Sequence, residues 1–197
     1  MIGSHNTFSY LPTKNIFKRW GRCQEVNYIE QYNQGVRCFD VRVRFDTTKK
    51  GTSYDLQKLQ LVHNKITYKG GWNTLKEFLY FLVDKGDCCV RLILDIRQKP
   101  KTGAEKQQEL FDDLVVFIER LHIKIAEAIA YWDWSYVIEP KMKMLEHHAS
   151  VTGNIGLFKT PRMYAKKNNA KILSDFKEMA DSEDEVLLID FVNLKEK

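Results

Sequence analysis

The chain predicts an α/β fold whose largely parallel sheet closes toward a barrel, and three observations carry that reading. Strand-like and helix-like segments alternate along the sequence, the order that builds crossover units. The segment Val90 to Arg97 is mostly apolar, as expected of a strand covered on both faces. Charged residues recur near the C-terminal ends of successive strands, where barrels of this class place their sites. At 197 residues the chain is long enough to bury a sizeable core, and it is read as a single domain over 1–197.

Residues 14 to 34 are expected to be helical, as two short helices broken near Gly21, with Gly35 ending the second. From Val36 to Arg44 the pattern alternates. Phe39, Val41 and Val43 face one way, and Cys38, Asp40, Arg42 and Arg44 face the other. A buried strand tolerates such a charged face when that face lines a site. Lys49 to Tyr54 is a polar loop, and a second strand follows over Leu59 to His63. After the Gly70-Gly71 turn, Thr74 is expected to cap a helix over 75–84, whose Leu75, Phe78, Leu79 and Leu82 form an apolar stripe. Then come the strand 90–97, a long helix over 104–131, a strand at Ile155 to Lys159, a helix near 169–180 and a strand at Val186 to Val192. The stretch 134–152 fits no element, and no internal repeat is present.

Composition narrows the partners. No run of apolar residues is long enough to span a membrane, and residues 1–5 lack the basic and apolar regions of a secretory signal. A cytoplasmic, monomeric protein is the expectation, with secretion open if the chain is trimmed. The net charge of +5 favours an anionic partner. No basic stripe with interleaved aromatics points to nucleic acid. Four cysteines, two of them adjacent at Cys88 and Cys89, suggest reduced thiols rather than a disulfide framework or a zinc motif.

His5 and His63 each fall where a strand ends, and Asp40-Val41-Arg42 lies between them in sequence. Two imidazoles and a guanidinium are the parts needed to cleave a phosphodiester. One ring takes a proton from the nucleophile, the cation holds the phosphoryl oxygens, and the second ring protonates the leaving oxygen. His122, His147 and His148 lack such a setting and are read as structural or solvated. The aromatic run Tyr131 to Tyr136 fits a core role as well as a lipid or sugar contact. A structural Asp40–Arg42 ion pair is the plain alternative for that triplet.

At these residues the chain resembles the catalytic domain of phosphatidylinositol-specific phospholipase C. Gly3-Ser4-His5-Asn6-Thr7 is similar to that family's first histidine motif, and residues 31–42 are similar to its helix-to-strand motif with Asp-x-Arg. Leu61-Val62-His63-Asn64 is similar to the second histidine motif, and Leu188 to Asn193 to a late strand that supplies an aspartate. The likeness is near-continuous from residue 3 to about 98 and patchy beyond. It implies a TIM-like (β/α) barrel. With only four residues before His5 and so short a chain, that barrel is expected to be reduced or distorted.

The resemblance also implies roles. His5 would be the general base toward an inositol 2-hydroxyl and His63 the general acid. Asp190 would orient His5, Arg42 would bind the phosphoryl oxygens, and Asp40 would position Arg42 or the substrate. Asn6, Arg97, Lys159 and Arg162 would contact the substrate. Arg42 stands where eukaryotic members carry an acidic calcium ligand, so the bacterial, metal-independent branch is implied, with no cofactor. Asn6 departs from that branch, which carries an aspartate there. Pro12 to Trp20 resembles the short helix that bacterial members press into lipid, with Ile16, Phe17 and Trp20 as membrane contacts among Lys14, Lys18 and Arg19. Two rival functions remain in view: a barrel phosphodiesterase acting on glycerophosphodiesters or sphingolipids, and a catalytically weak lipid-binding module.

Overall fold

The structure is a computed structural model that describes residues 1–46, 56–96, 104–130, 135–147, 160–179 and 185–193. A three-residue strand β1 (Ile2–Ser4) leads through a 3-10 turn at Thr7–Tyr10 to two short helices, α1 (Lys18–Gly21) and α2 (Tyr28–Asn33). The Asn27 side chain caps α2 by accepting from the Glu30 N–H, and Gly35 turns the chain out of it at a φ of 88°. Next come β2 (Val36–Phe45), β3 (Leu59–His63) and β4 (Ile66–Thr67). After them stand α3 (Trp72–Lys85), β5 (Cys89–Leu94), α4 (Ala104–Arg120), β6 (Lys124–Ala130) and β7 (Ser135–Ile138). The chain ends in β8 (Lys143–His147), α5 (Pro161–Met179) and β9 (Glu185–Ile189).

Six strands run parallel in the order β6-β5-β2-β1-β9-β8, and β7 adds an antiparallel edge beside β6. The β3–β4 hairpin hangs antiparallel on the far half of β2, pairing Val43 with Leu61 and Phe45 with Leu59. Among the described residues β7 and β8 are not paired with each other, and the sheet curls as a half-barrel. This is the reduced TIM-like (β/α) barrel that the sequence predicts.

The alternation of β2 divides two cores. Phe39, Val41 and Val43 join Phe78, Leu79, Leu110, Leu114 and Ile118 in the layer between sheet and helices. On the other face, Cys38, Cys89, Ala126, Met142, Val186 and Leu188 form a smaller apolar floor inside the curl. Gly3 lies in that floor because β1 is squeezed between β2 and β9. A Cβ there would fall 2.6 Å from Leu188 Cδ2 and 2.8 Å from Val186 Cγ1.

The two helices of 14–34 are shorter than expected, and the strands expected over 90–97 and 186–192 end at Leu94 and Ile189; four further segments differ more. Helix α3 starts at Trp72 rather than after Thr74, because Gly70 and Gly71 take φ values of 123° and 136° and turn the chain straight into it. The long helix expected over 104–131 stops at Arg120. His122 adopts a left-handed φ of 58°, and Lys124–Ala130 becomes a strand buried on both faces, whose small apolar residues give helical and extended periods equally well. Helix α5 begins at Pro161 behind Thr160, earlier than the expected 169. Part of the unplaced stretch supplies β7 and β8. The expected strand at 155–159 lies outside the described residues.

Candidate active site

Three strands end in the same way. His5 follows β1, His63 closes β3 and Asp190 follows β9. The next residue of each, Asn6, Asn64 and Phe191, has a positive φ of 47°, 58° and 49°. A left-handed residue turns the chain sharply off the strand and leaves the preceding side chain at the mouth of the curl. Asparagine accepts that conformation readily, whereas for phenylalanine it is strained. The two histidine turns share a second device. The Asn6 N–H donates to Asp40 Oδ2 at 2.9 Å, and the Asn64 N–H donates to Asp95 Oδ2 at 2.7 Å.

The side chains meet at that mouth. His5 Nδ1 is 2.6 Å from Asp190 Oδ1, which accepts its proton in a bond that fixes the ring. The His63 Nδ1–H donates to the Gly21 carbonyl at 3.2 Å, and the Tyr68 hydroxyl donates to the same oxygen at 2.7 Å. The two imidazoles stand edge to face with centroids 5.5 Å apart. Arg42 Nε donates to Asp40 Oδ2 at 3.0 Å, the ion pair that the sequence also allowed. His5, Asn6, Asp40, Arg42, His63 and Asp190 are all buried, with His63 and Arg42 the most accessible at 9% and 8%.

Burial and neighbouring charge set the protonation states. Burial first, then the Arg42 guanidinium, push His63 down to about 4, against the upward pull of Asp95 and of the Gly21 carbonyl. Burial would raise the Asp40 carboxyl, but Arg42, Arg91, His5 and the Asn6 N–H outweigh it and hold the group at about 2. Arg42 itself is raised above its ordinary value: Asp40 and Asp95 overcome the cost of its burial. At neutral pH the site therefore presents a fixed Asp40–Arg42 ion pair beside a neutral His63.

Four contributors were not singled out from the sequence. Asp95 opens an Asp-Ile-Arg triplet after β5 that repeats the Asp-Val-Arg of β2, and that repeat was a usable signal. Gln24 is fully buried. Its Nε2 donates to the carbonyls of His5 and Ile189, both at 3.0 Å, and its Oε1 accepts from the Val192 N–H at 3.1 Å. Asn169 on α5 donates to the carbonyls of Asp190 and Phe191 at 2.8 and 3.1 Å. Nothing in the local pattern marks either amide. Arg91 lies one layer below, beside Asp40 in the β2–β5 register, and pairs with Glu127 and Glu146.

Other expected residues lie apart. Arg162 is on the first turn of α5, half-exposed, and pairs with Glu25. Arg97 and Lys159 are outside the described residues, as are His148 and most of the 131–136 aromatic run. Ile16 and Phe17 are 82% and 57% exposed, while Trp20 is partly buried under the Arg19 guanidinium, 3.8 Å from its ring centroid. No helix of the described residues is long and apolar enough to cross a membrane. All four cysteines are unpaired as disulfides and buried. Among the described residues, one group of metal-donor side chains converges: His5, Cys23 and His63.

No family model matches the chain, and no curated protein matches it. Solved structures do. The fold is similar to that of phosphatidylinositol-specific phospholipase C from Listeria monocytogenes, with a TM-score of 0.62 and 14% identity over 99% of this chain and 89% of that one. It is also similar to phosphatidylinositol-specific phospholipase C from Staphylococcus aureus. A double mutant of that enzyme gives a TM-score of 0.61 at 14% identity over 97% and 84% of the two chains. A structure concerned with the modulation of its membrane binding gives 0.58 at 14% over 97% and 85%. At these identities the likeness is one of fold.

Proposed function

We propose that the chain is a phosphodiesterase of the phosphatidylinositol-specific phospholipase C kind, cleaving phosphatidylinositol or a glycosylated relative at a membrane surface without a metal cofactor. The observation that carries this reading is the convergence of two imidazoles, 5.5 Å apart, on the Asp40–Arg42 ion pair at one end of a curled barrel. Phosphodiester transfer within one molecule needs a base, an acid and a cation there.

In this mechanism the Asp190 carboxylate holds the His5 ring with Nε2 as the basic nitrogen. That nitrogen takes the proton of the inositol 2-hydroxyl as its oxygen attacks phosphorus. Arg42 binds the phosphoryl oxygens, and Asp40 keeps the guanidinium in place. The bond from phosphorus to the diacylglycerol oxygen breaks, and His63 protonates that oxygen. The products are diacylglycerol and a cyclic inositol phosphate. An incoming phosphodiester anion offsets the charge of Arg42, so binding raises the His63 pKa toward the value an acid requires. Asn6, Arg97, Lys159 and Arg162 are the proposed headgroup contacts. Ile16 and Phe17, with Trp20 behind them, are the proposed lipid contacts.

Phosphorus NMR of phosphatidylinositol vesicles incubated with the protein in chelator tests the reading. A cyclic phosphodiester signal is expected, and His5→Ala or His63→Ala each removes it. Activity surviving either substitution would overturn the assignment. Activity abolished by chelator in the parent would favour a metal-dependent glycerophosphodiester or sphingolipid enzyme. Vesicle binding without release of inositol phosphate would make the chain a lipid-binding module.

A further inference from the structure

The mechanism above leaves one buried nucleophile at the site unused. Cys23, between α1 and α2, is 1% exposed, and its thiol faces the Gly21 carbonyl at 3.6 Å. One donor atom each from His5, Cys23 and His63 lies within 4.8 Å of the other two. A tetrahedral zinc ion holds imidazole and thiolate donors roughly 3.3 to 3.8 Å apart, so the set closes once rotations of the rings and the thiol bring the nitrogen lone pairs and the sulfur together.

The surroundings suit such an ion. A carboxylate and a carbonyl oxygen can only accept, so Nδ1 of His5, on Asp190, and Nδ1 of His63, on Gly21, both carry hydrogen. The lone pair of each neutral ring is then on Nε2. Imidazoles that bind metals are held in this way, their second nitrogen donating to a carboxylate or a carbonyl. Two imidazoles and one thiol select zinc over calcium or magnesium, which take oxygen ligands. The carboxyl groups of Asp40, Asp95 and Asp190 are buried around the same mouth as Arg42.

We propose that His5, Cys23 and His63 form a binding site for Zn²⁺, and that the bound ion blocks the pocket. On binding, the thiol S–H bond breaks and its proton passes to solvent as the sulfur–zinc bond forms. Each ring donates its lone pair, and water completes the coordination. Both imidazoles then lose the electron pairs with which they handle protons, so zinc acts as an inhibitor rather than a cofactor. The inhibitory clause rests on the phosphodiesterase reading; the binding clause does not.

Cobalt substitution separates the two. Co²⁺ added to metal-free protein is expected to give tetrahedral visible bands and a thiolate-to-cobalt charge-transfer band, both displaced by Zn²⁺. Cys23→Ser, with Cys23→Ala as a second replacement, loses the charge-transfer band and binds Zn²⁺ at least about tenfold more weakly. A folded parent without that band, or a variant that keeps it undiminished through another cysteine, overturns the site. In the vesicle assay Zn²⁺ inhibits the parent, while Cys23→Ser turns over normally and needs about tenfold more Zn²⁺ for the same inhibition. Equal inhibition of both overturns the blocking role. A metal-free parent with no turnover sinks the phosphodiesterase reading instead, and the cobalt spectra alone then decide the site.

Discussion

His63 is held as a base at neutral pH by burial and by Arg42, and this has a consequence for stability as well as chemistry. An unfolded histidine titrates near 6.5, whereas the folded ring titrates at about 4. Between those values the unfolded chain binds a proton that the folded chain declines. Stability from this group is thus complete above about pH 6.5 and falls as pH drops toward 4, by up to roughly 3 kcal/mol. Asp40 does not share that window. Its carboxyl is held at about 2, and its contribution is lost only below the ordinary carboxylate range. Denaturant midpoints of the parent are therefore expected to fall between about pH 7 and about pH 4.5, and those of His63→Gln to fall distinctly less. Equal slopes would show that the ring is not held neutral by its surroundings.

At the scale of elements, the site depends on three strand ends being locked together, and Gln24 is the lock between two of them. Its single side chain serves the carbonyls of His5 and Ile189 and the N–H of Val192. Gln24→Leu keeps the size and removes every one of those bonds. A buried polar group left without a partner costs about 1 to 3 kcal/mol, so a loss of at least about 2 kcal/mol is expected. Because the His5 and Asp190 turns would loosen together, turnover should fall with stability. A variant as stable as the parent would mean that Gln24 only fills space. This is also where legibility in the sequence ends. His5, His63 and Asp190 could be picked out because each stands at a strand end, and Asp40 and Arg42 because they charge one face of an otherwise apolar strand, all within an ordered set of motifs. Asp95 was as visible as Asp40, through its repeated triplet. Gln24 and Asn169 were not, since a capping amide acts on backbone atoms up to 168 residues away and leaves no local pattern. Strand β6 hid for a different reason: Ile125-Ala126-Glu127-Ala128-Ile129-Ala130 is buried on both faces, so its small apolar residues fit a helical period as well as an extended one.

Across the whole molecule, the curl has an apolar floor and a charged mouth, and the exposed Ile16 and Phe17 belong to the segment that leads to that mouth. Pro12 and Thr13 are tied to the β3–β4 hairpin: the Lys69 N–H donates to the Pro12 carbonyl at 2.7 Å and the Thr13 hydroxyl to the Thr67 carbonyl at 2.7 Å. Gly21, at the other end of the segment, takes the His63 proton donor. The apolar tip is therefore fixed relative to one of the two rings, and docking through it would carry the mouth toward the lipid. Transfer of Ile16 and Phe17 out of water contributes on the order of 3 kcal/mol if each is about half covered, which is roughly a hundredfold in partitioning. Lys14, Lys18 and Arg19 add about 1 kcal/mol each near an anionic surface, and salt screens that part alone. Ile16→Ser/Phe17→Ser should bind phosphatidylinositol vesicles about a hundredfold more weakly at any ionic strength, and Trp20→Ala should lose less because that ring is already partly covered. Opening of a soluble cyclic inositol phosphate should be unchanged in both, since neither alters the imidazoles. Sedimentation with vesicles, beside the soluble assay, measures the two separately. If the double variant sedimented like the parent, the segment would not be the docking surface, and the mouth would have to meet lipid by another edge of the barrel.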